Sequence, residues 1–296
     1  MWKQTKIVAT VGPASDSADS ILELVTAGVD MFRINFSHGD YPQREQYIQA
    51  IRQAERKAGR PIAICGDLCG PKIRVGLLEG GEIELKDGEE ITIQRDELLG
   101  TADCISTTLP ELVDVVHPGE TILLADGRLR LNVIRVEPPD HFVCQVISGG
   151  KLSDGKGVNL PQTQLPMGSL TEKDLRDLDW IADRDFDYVA LSFVQRPDDV
   201  RQLRNLLEDR QSEAQIIAKI EKPQALTRID SIIEVSDVIM VARGDLGVEM
   251  DFPSVPIAQK SIASKCEKAG RPCIIATEML ESMIHSPRAT RAEVSD

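Results

Sequence analysis

One ammonium and two carboxylates stand where short apolar runs end. Lys219 and Glu221 close the run Gln215-Ile216-Ile217-Ala218-Lys219-Ile220-Glu221, and Asp245 follows Val238 to Ala242 behind Arg243-Gly244. Short β-branched runs that enter a polar loop are the mark of parallel strands buried on both faces. Side chains alternate along a strand, so Lys219 and Glu221 point one way and Ile220 the other. Ahead of Asp245, Gly244 permits a tight turn and close approach of a ligand. Such a set suits a hard cation such as Mg2+, held by one or two carboxylates with substrate oxygens completing the octahedron. A structural ion pair capping the sheet is the competing reading, because perturbed ionisable clusters also arise structurally.

The elements that position these groups need a chain able to form a full core. At 296 residues and 42 % hydrophobic, one α/β barrel or two domains fit. A net charge of −14 argues against a nucleic-acid surface, which needs clustered Lys and Arg. A small anionic substrate would require a local cationic pocket. The six cysteines, Cys65, Cys69, Cys104, Cys144, Cys266 and Cys273, form no C-x-x-C pair, and their scatter points to a reducing cytoplasm. Met1 to Lys6 lacks an apolar signal core and no stretch is long enough to span a bilayer, so a soluble, intracellular protein is expected.

Strand and helix alternate from the start. The pattern predicts strands at Lys6 to Thr10, Met31 to Asn35 and Ile62 to Leu68, with helices at Ala18 to Ala27 and Pro42 to Ala58 ended by Gly28 and Gly59. Between about Ile73 and Leu165 the rhythm changes to short alternating runs punctuated by Gly and Asp-Gly pairs, which predicts an all-β insertion. Its strongest hairpin signal is Asp126-Gly127. Thr171 then reads as the N-cap of a new helix, and strands follow at Tyr188 to Ser192, Gln215 to Ile220, Val238 to Ala242 and Cys273 to Thr277. The organisation expected is barrel in residues 1–70, inserted β domain in 71–165 and barrel again in 166–296. Seven parallel strands are one short of a closed (β/α)8 barrel. Thr10, Arg33, Asn35, Asp67, Ser192, Lys219, Glu221, Asp245 and Thr277 fall at their C-terminal ends, the active face of such barrels. Singly, each could cap a helix or satisfy a buried hydrogen bond; nine together favour a site. His38 and His285 read as structural or surface residues, Gly39 and Gly247 as turn residues.

These stretches resemble the pyruvate kinase family. The resemblance rests on Thr5 through Ser15, Arg33-Ile34-Asn35-Phe36-Ser37-His38-Gly39, Asp67 with Gly70-Pro71-Lys72-Ile73-Arg74, and Lys156-Gly157-Val158-Asn159-Leu160-Pro161. It continues through Ile217 to Glu221, Met240 to Glu249 and Ala276-Thr277-Glu278-Met279-Leu280-Glu281-Ser282-Met283. It implies the glycolytic transfer of a phosphoryl group from phosphoenolpyruvate to ADP, giving pyruvate and ATP. By that resemblance, Lys219 and Arg33 balance the moving phosphoryl group, and Glu221 and Asp245 hold Mg2+ or Mn2+. Thr277 lies beside the face where the enolate is protonated, and Ser192 with the backbone of Ala242, Arg243 and Gly244 receives substrate. Thr10, Pro13, Arg74 and Lys156 would contact the nucleotide, and the β insertion would close as a lid. Most members carry Glu at Lys72, Thr at Leu68 and Thr at Val75, and need K+. The pattern here resembles a second, K+-independent type, in which the Lys72 ammonium supplies the charge of the cation. Asn35, Ser37, Asp67 and Leu68 mark the position that cation would take. Cys69 is unusual, and Glu278 stands where Gln is commoner and is expected to face the barrel wall.

The family continues past Asp296 with an eighth strand and a C-terminal domain. An open barrel exposes two strand edges, so the expectation is a fragment, a local rearrangement, or a neighbouring copy filling the gap as a homo-oligomer. Allosteric control of the family's usual kind is not expected. An inactive or partner-dependent fragment is the alternative to a K+-independent enzyme. A Mg2+-dependent carbon–carbon lyase is a third reading, which the β insertion and the Lys156 region disfavour.

Overall fold

The structure, a computed structural model, describes residues 5–163, 168–277 and 279–295. Three βα steps open it: β1 (Val8–Thr10), α1 (Ala18–Ala27), β2 (Met31–Asn35), α2 (Tyr41–Ala58) and β3 (Ala63–Asp67). The insertion follows, with β4 (Glu82–Leu85), β5 (Glu90–Gln94), β6 (Cys104–Ser106), α3 (Leu112–Val115), β7 (Thr121–Leu124), β8 (Leu129–Glu137), β9 (His141–Ser148), β10 (Gly150–Ser153) and β11 (Val158–Asn159). The first rhythm then resumes through α4 (Glu172–Ala182), β12 (Tyr188–Leu191), α5 (Pro197–Asp209), β13 (Gln215–Ile220), α6 (Pro223–Leu226) and α7 (Ile229–Val235). It ends with β14 (Val238–Ala242), α8 (Arg243–Glu249), α9 (Val255–Ala269), β15 (Cys273–Ala276) and α10 (Arg291–Ser295).

Seven parallel strands pair in the order β1-β2-β3-β12-β13-β14-β15, so the insertion interrupts the sheet once, after its third strand. Among the described residues no ladder joins β1 to β15, and the barrel is incomplete. The insertion is a six-stranded sheet, β11-β7-β8-β9-β5-β6, beside the pair β4 and β10. It is not purely β. The short α3 puts Leu112 and Val113 into the insertion's own core, which runs from Ile73 to Leu160. The Asp126-Gly127 hairpin forms with Leu124 paired to Leu129, and Ala125, Asp126 and Gly127 all take left-handed φ. No helix among the described residues is long and apolar enough to cross a membrane.

Alternation sorts the barrel strands into two layers. Ile216, Ala218 and Ile220 of β13 pack outward with the helices, together with Ile64, Val189, Leu191, Ile239 and Val241. Facing the other way, Cys65, Ala190, Ile217, Val238 and Met240 make a separate apolar floor. Three of these floor residues are followed two positions later by a polar residue nearer the C-terminal mouth: Asp67 after Cys65, Ser192 after Ala190, Lys219 after Ile217. The polar ring thus rests on an apolar base.

Strand limits differ from expectation by a residue or two, for local reasons. Ile7 bonds to Asp30 and Met31 outside the ladder, so β1 begins at Val8. Phe193 and Thr277 take φ of 57° and 69°, which turns the chain out of extended geometry just past β12 and β15. Gly39, with φ of 75°, is the turn residue anticipated, whereas Gly247 lies inside α8 and turns nothing. Thr171 caps α4 as expected: its Oγ1 accepts from Asp174 N at 3.2 Å, while Asp174 Oδ2 accepts from Thr171 N at 2.8 Å. The other oxygen of Asp174 accepts from Gly70 N at 3.2 Å, tying the exit of β3 to α4.

Gly66 faces the helices, and a Cβ there would lie 2.9 Å from Ile181 Cδ1 and 3.2 Å from the rings of Phe186 and Phe36. All three neighbours are side chains buried in the core. Gly66→Ala is therefore expected to cost about 1–3 kcal/mol by overpacking. Urea denaturation checks this, and a shift below about 0.5 kcal/mol would mean that the pocket can expand.

Candidate active site

Lys219 is the centre of the polar ring. It is buried, and its Nζ lies 2.8 Å from Glu221 Oε1 and 3.2 Å from Asp67 Oδ1 while donating to Ser192 Oγ at 2.8 Å. Strand alternation placed Lys219 and Glu221 on one side, and the ion pair between them bears that out. Burial alone would lower the pKa of Lys219, but Glu221 and Asp67 more than offset it and hold the ammonium above the usual lysine range. Ser192 passes the contact on by donating to Leu68 O at 2.8 Å.

Arg33, on β2, joins the same cluster through Asp67 on the adjacent β3. Its Nε donates to Asp67 Oδ2 at 2.5 Å and its Nη1 to Thr10 Oγ1 at 2.9 Å. Asp67, placed by sequence among the oxygens of a monovalent-cation position, thus sits between two cations of the chain itself. Asn35 Oδ1 accepts from Ser37 N at 2.9 Å, and Leu68 is buried. Lys72 points elsewhere: its Cε lies 3.3 Å from where a Cβ on Gly157 would stand. Among the described residues no hydrogen bond or ion pair joins it to Asn35, Ser37 or Asp67.

Glu221 is 1 % exposed. Its Oε2 accepts from Phe193 N at 2.8 Å. Burial raises its pKa, Lys219 opposes that, and the charge of Asp245 raises it further. Asp245 thus disfavours the charge on Glu221, and a divalent cation shared between them would relieve that. Among the described residues no three His, Cys, Asp or Glu side chains gather as a metal site. A pair of carboxylates is the kind of donor set that suits Mg2+, which takes its other ligands from water and substrate.

At the far side of the mouth, α8 begins directly from β14 with Ala242 as N-cap. Gly244 does not take the left-handed geometry anticipated for a tight turn. What its missing Cβ gives is approach: a Cβ would meet Thr277 Oγ1 at 3.4 Å, and Gly244 N donates to that oxygen at 3.0 Å. Thr277 is a β-branched residue held at φ of 69°, a strained conformation of the kind that clusters at functional sites. Arg243 is buried and donates to the carbonyls of Ala276 and Thr277 and to Met279 Sδ, which pins the β15 end to α8.

The ring therefore brings together Thr10, Arg33, Asp67, Ser192, Lys219, Glu221 and Asp245, and joins Gly244 to Thr277. Pro13 is exposed at the β1 end. Arg74 and Lys156 belong to the two chains of the insertion's stem, where Val75 N donates to Lys156 O at 2.8 Å and Arg74 Nη1 to Gly155 O at 2.9 Å. Among the described residues no hydrogen bond or ion pair links either one to Thr10 or Pro13. His38 and His285 are exposed. Glu278 lies outside the described residues.

Sequence reasoning missed one buried group. Lys222 Nζ pairs with Glu249 Oε1 at 2.5 Å, and Asn159 Nδ2 donates to the same oxygen at 2.8 Å. Lys222 directly follows Glu221, but a lysine at the start of a loop gives no sequence signal that it is buried.

A family model described as pyruvate kinase, barrel domain, matches residues 2–296. A pyruvate kinase of Geobacillus stearothermophilus is 45 % identical over 100 % of this chain and 51 % of its own length. One from Methylorubrum extorquens is 48 % identical over 99 % of this chain and 61 % of its own. The crystal structure of a pyruvate kinase from Cryptosporidium parvum superposes with a TM-score of 0.93 at 39 % identity, over 98 % of this chain and 61 % of that one. The chain thus spans about half to three-fifths of the length of these relatives.

Proposed function

The chain belongs to the pyruvate kinase family, and on that premise we propose that it forms the catalytic barrel and lid of a K+-independent pyruvate kinase acting in the cytoplasm. The observation that carries this reading is the convergence of Lys219 and Arg33, both held by Asp67, beside the raised carboxyl of Glu221. Phosphoryl transfer asks a protein chiefly for positioning and charge neutralisation. In this reaction the bond between phosphorus and the enol oxygen of phosphoenolpyruvate breaks as one forms to a terminal phosphate oxygen of ADP. Lys219 and Arg33 face the equatorial oxygens, and their own charges are steadied by Asp67 and Glu221. The backbone from Ala242 to Gly244 receives the substrate carboxylate, at a helix start where amide groups favour an anion. A divalent ion held by Glu221 and Asp245 would supply Lewis-acid neutralisation of the enolate oxygen. A proton then reaches the enolate carbon on the Thr277 side and gives pyruvate. Thr10 and Pro13 on the barrel, with Arg74 and Lys156 on the insertion, take the nucleotide.

K+ independence is supported by Asp67 already having two protein cations, Arg33 and Lys219, whereas Lys72 lies against Gly157 on the stem and not at the cation position. Pyruvate formation by the purified chain with Mg2+, with and without ADP and K+, tests both claims. Turnover that requires ADP and is unchanged by K+ is expected. Stimulation by K+ of about tenfold or more would overturn K+ independence. A chain that melts cooperatively yet makes no pyruvate would favour the inactive or partner-dependent fragment instead.

A further inference from the structure

Two segments of the candidate site meet the insertion at a single carboxylate. Glu249 ends α8, whose first turn carries Asp245, and Lys222 follows Glu221 at the end of β13. Asn159 sits on β11, the insertion's returning strand, three residues after Lys156. All three are buried: Glu249 is 3 % exposed, Lys222 7 % and Asn159 9 %. Glu249 Oε1 accepts from both Lys222 and Asn159, while among the described residues its buried Oε2 has no hydrogen-bond partner. Nearby, Gln224 Nε2 donates to Pro161 O at 3.1 Å, and Lys72, Asn159, Phe193, Gln195 and Lys222 border a cavity of about 20 Å³ between barrel and insertion.

We propose that Glu249 is a positioning joint that couples the orientation of the β insertion to the Lys219, Glu221 and Asp245 cluster, through Lys222 on the barrel side and Asn159 on the insertion side. This inference rests on the functional reading above, in which the insertion carries nucleotide contacts. A buried ion pair adds little net stability over an apolar replacement but is demanding in geometry. Its value here is directional, since it holds Glu249 where Asn159 of β11 bonds to it as the insertion returns to the barrel. The half-used carboxylate can accept a further donor without releasing the first, as a joint with more than one setting requires. Arg74 and Lys156 lie on the two strands of the stem, which the Arg74 to Gly157 bridge holds together. Freeing Asn159 should therefore move both of them relative to the barrel while leaving the Arg33 and Lys219 cluster in place.

Asn159→Ala removes the insertion-side link and leaves the Lys222–Glu249 pair intact; Asn159→Asp sets a like charge against Glu249. Hydrogen exchange over residues 73–75 and 156–160 is expected to accelerate about tenfold or more in both variants, with β13 and β14 unchanged. In kinetics, KM for ADP should rise about tenfold, the loss of one hydrogen bond to a charged group, with kcat near its starting value. KM for phosphoenolpyruvate should move less than about twofold. Unchanged exchange at the stem, or a parallel rise in both KM values, would overturn the proposal. If the parent chain makes no pyruvate, the functional reading fails separately, and the exchange measurement alone decides the joint.

Discussion

Replacing Lys219 by Met is expected to lower kcat for pyruvate formation by about a thousandfold, the scale seen when a preorganised charge on the reacting group is lost. The same variant should be less stable. Met fills much of the lysine volume but leaves Glu221 and Asp67 facing each other in a buried setting, with Arg33 as the remaining cation. Breaking a buried pair from one side costs about 3–5 kcal/mol. Steady-state rates with a urea titration separate the effects, because the chemical loss must persist under conditions where the variant is fully folded. A folded Met variant retaining more than about a tenth of the activity would remove Lys219 from the reaction.

Phe36→Ala should give the largest purely structural loss, about 3–5 kcal/mol. Phe36 is fully buried, with ring centroids 5.8 Å from Trp180 and 6.1 Å from Phe186, and the Arg44 guanidinium lies 4.5 Å from its own ring centre. Its backbone matters too. Phe36 N donates to Asp67 O at 2.9 Å, and its carbonyl accepts from Lys173 at 2.7 Å and Arg44 at 3.2 Å. Loosening this residue would therefore also loosen the β3 end that carries Asp67. Chemical denaturation gives the number, and a cost below about 1.5 kcal/mol would show that the aromatic cluster refills the space.

Much of this was legible in the sequence, for a physical reason. Buried parallel strands must be apolar on both faces, so each run betrays itself. The places where charge interrupts the runs, Asp67, Lys219 and Asp245, are where the strands meet the mouth. That Lys219 and Glu221 share one side followed from alternation alone. Less legible were contacts between groups distant in sequence. Nothing in the spacing shows that Asp67 would hold Arg33 and Lys219 simultaneously, or that Lys222, Glu249 and Asn159 would meet, because each link depends on how separate elements dock. The tight turn expected at Gly244 and the turn expected at Gly247 are absent for a related reason: glycine signals freedom, and here one serves only close approach while the other sits inside a helix.

The insertion between β3 and β12 also bears on how the chain reaches this state. Ser192 and Leu68, bonded across those adjacent strands, are 124 residues apart in sequence. Closing a loop of that length costs configurational entropy of about (3/2)RT ln n, or roughly 4 kcal/mol. Once the insertion has folded on its own core, its stem bonds, such as Val158 N to Ile73 O, short-circuit the loop to about 40 effective residues and return about 1 kcal/mol. Folding the insertion first would thus speed the β3 to β12 closure about fivefold, which makes that closure sensitive to substitutions in a region that contributes no strand to the barrel.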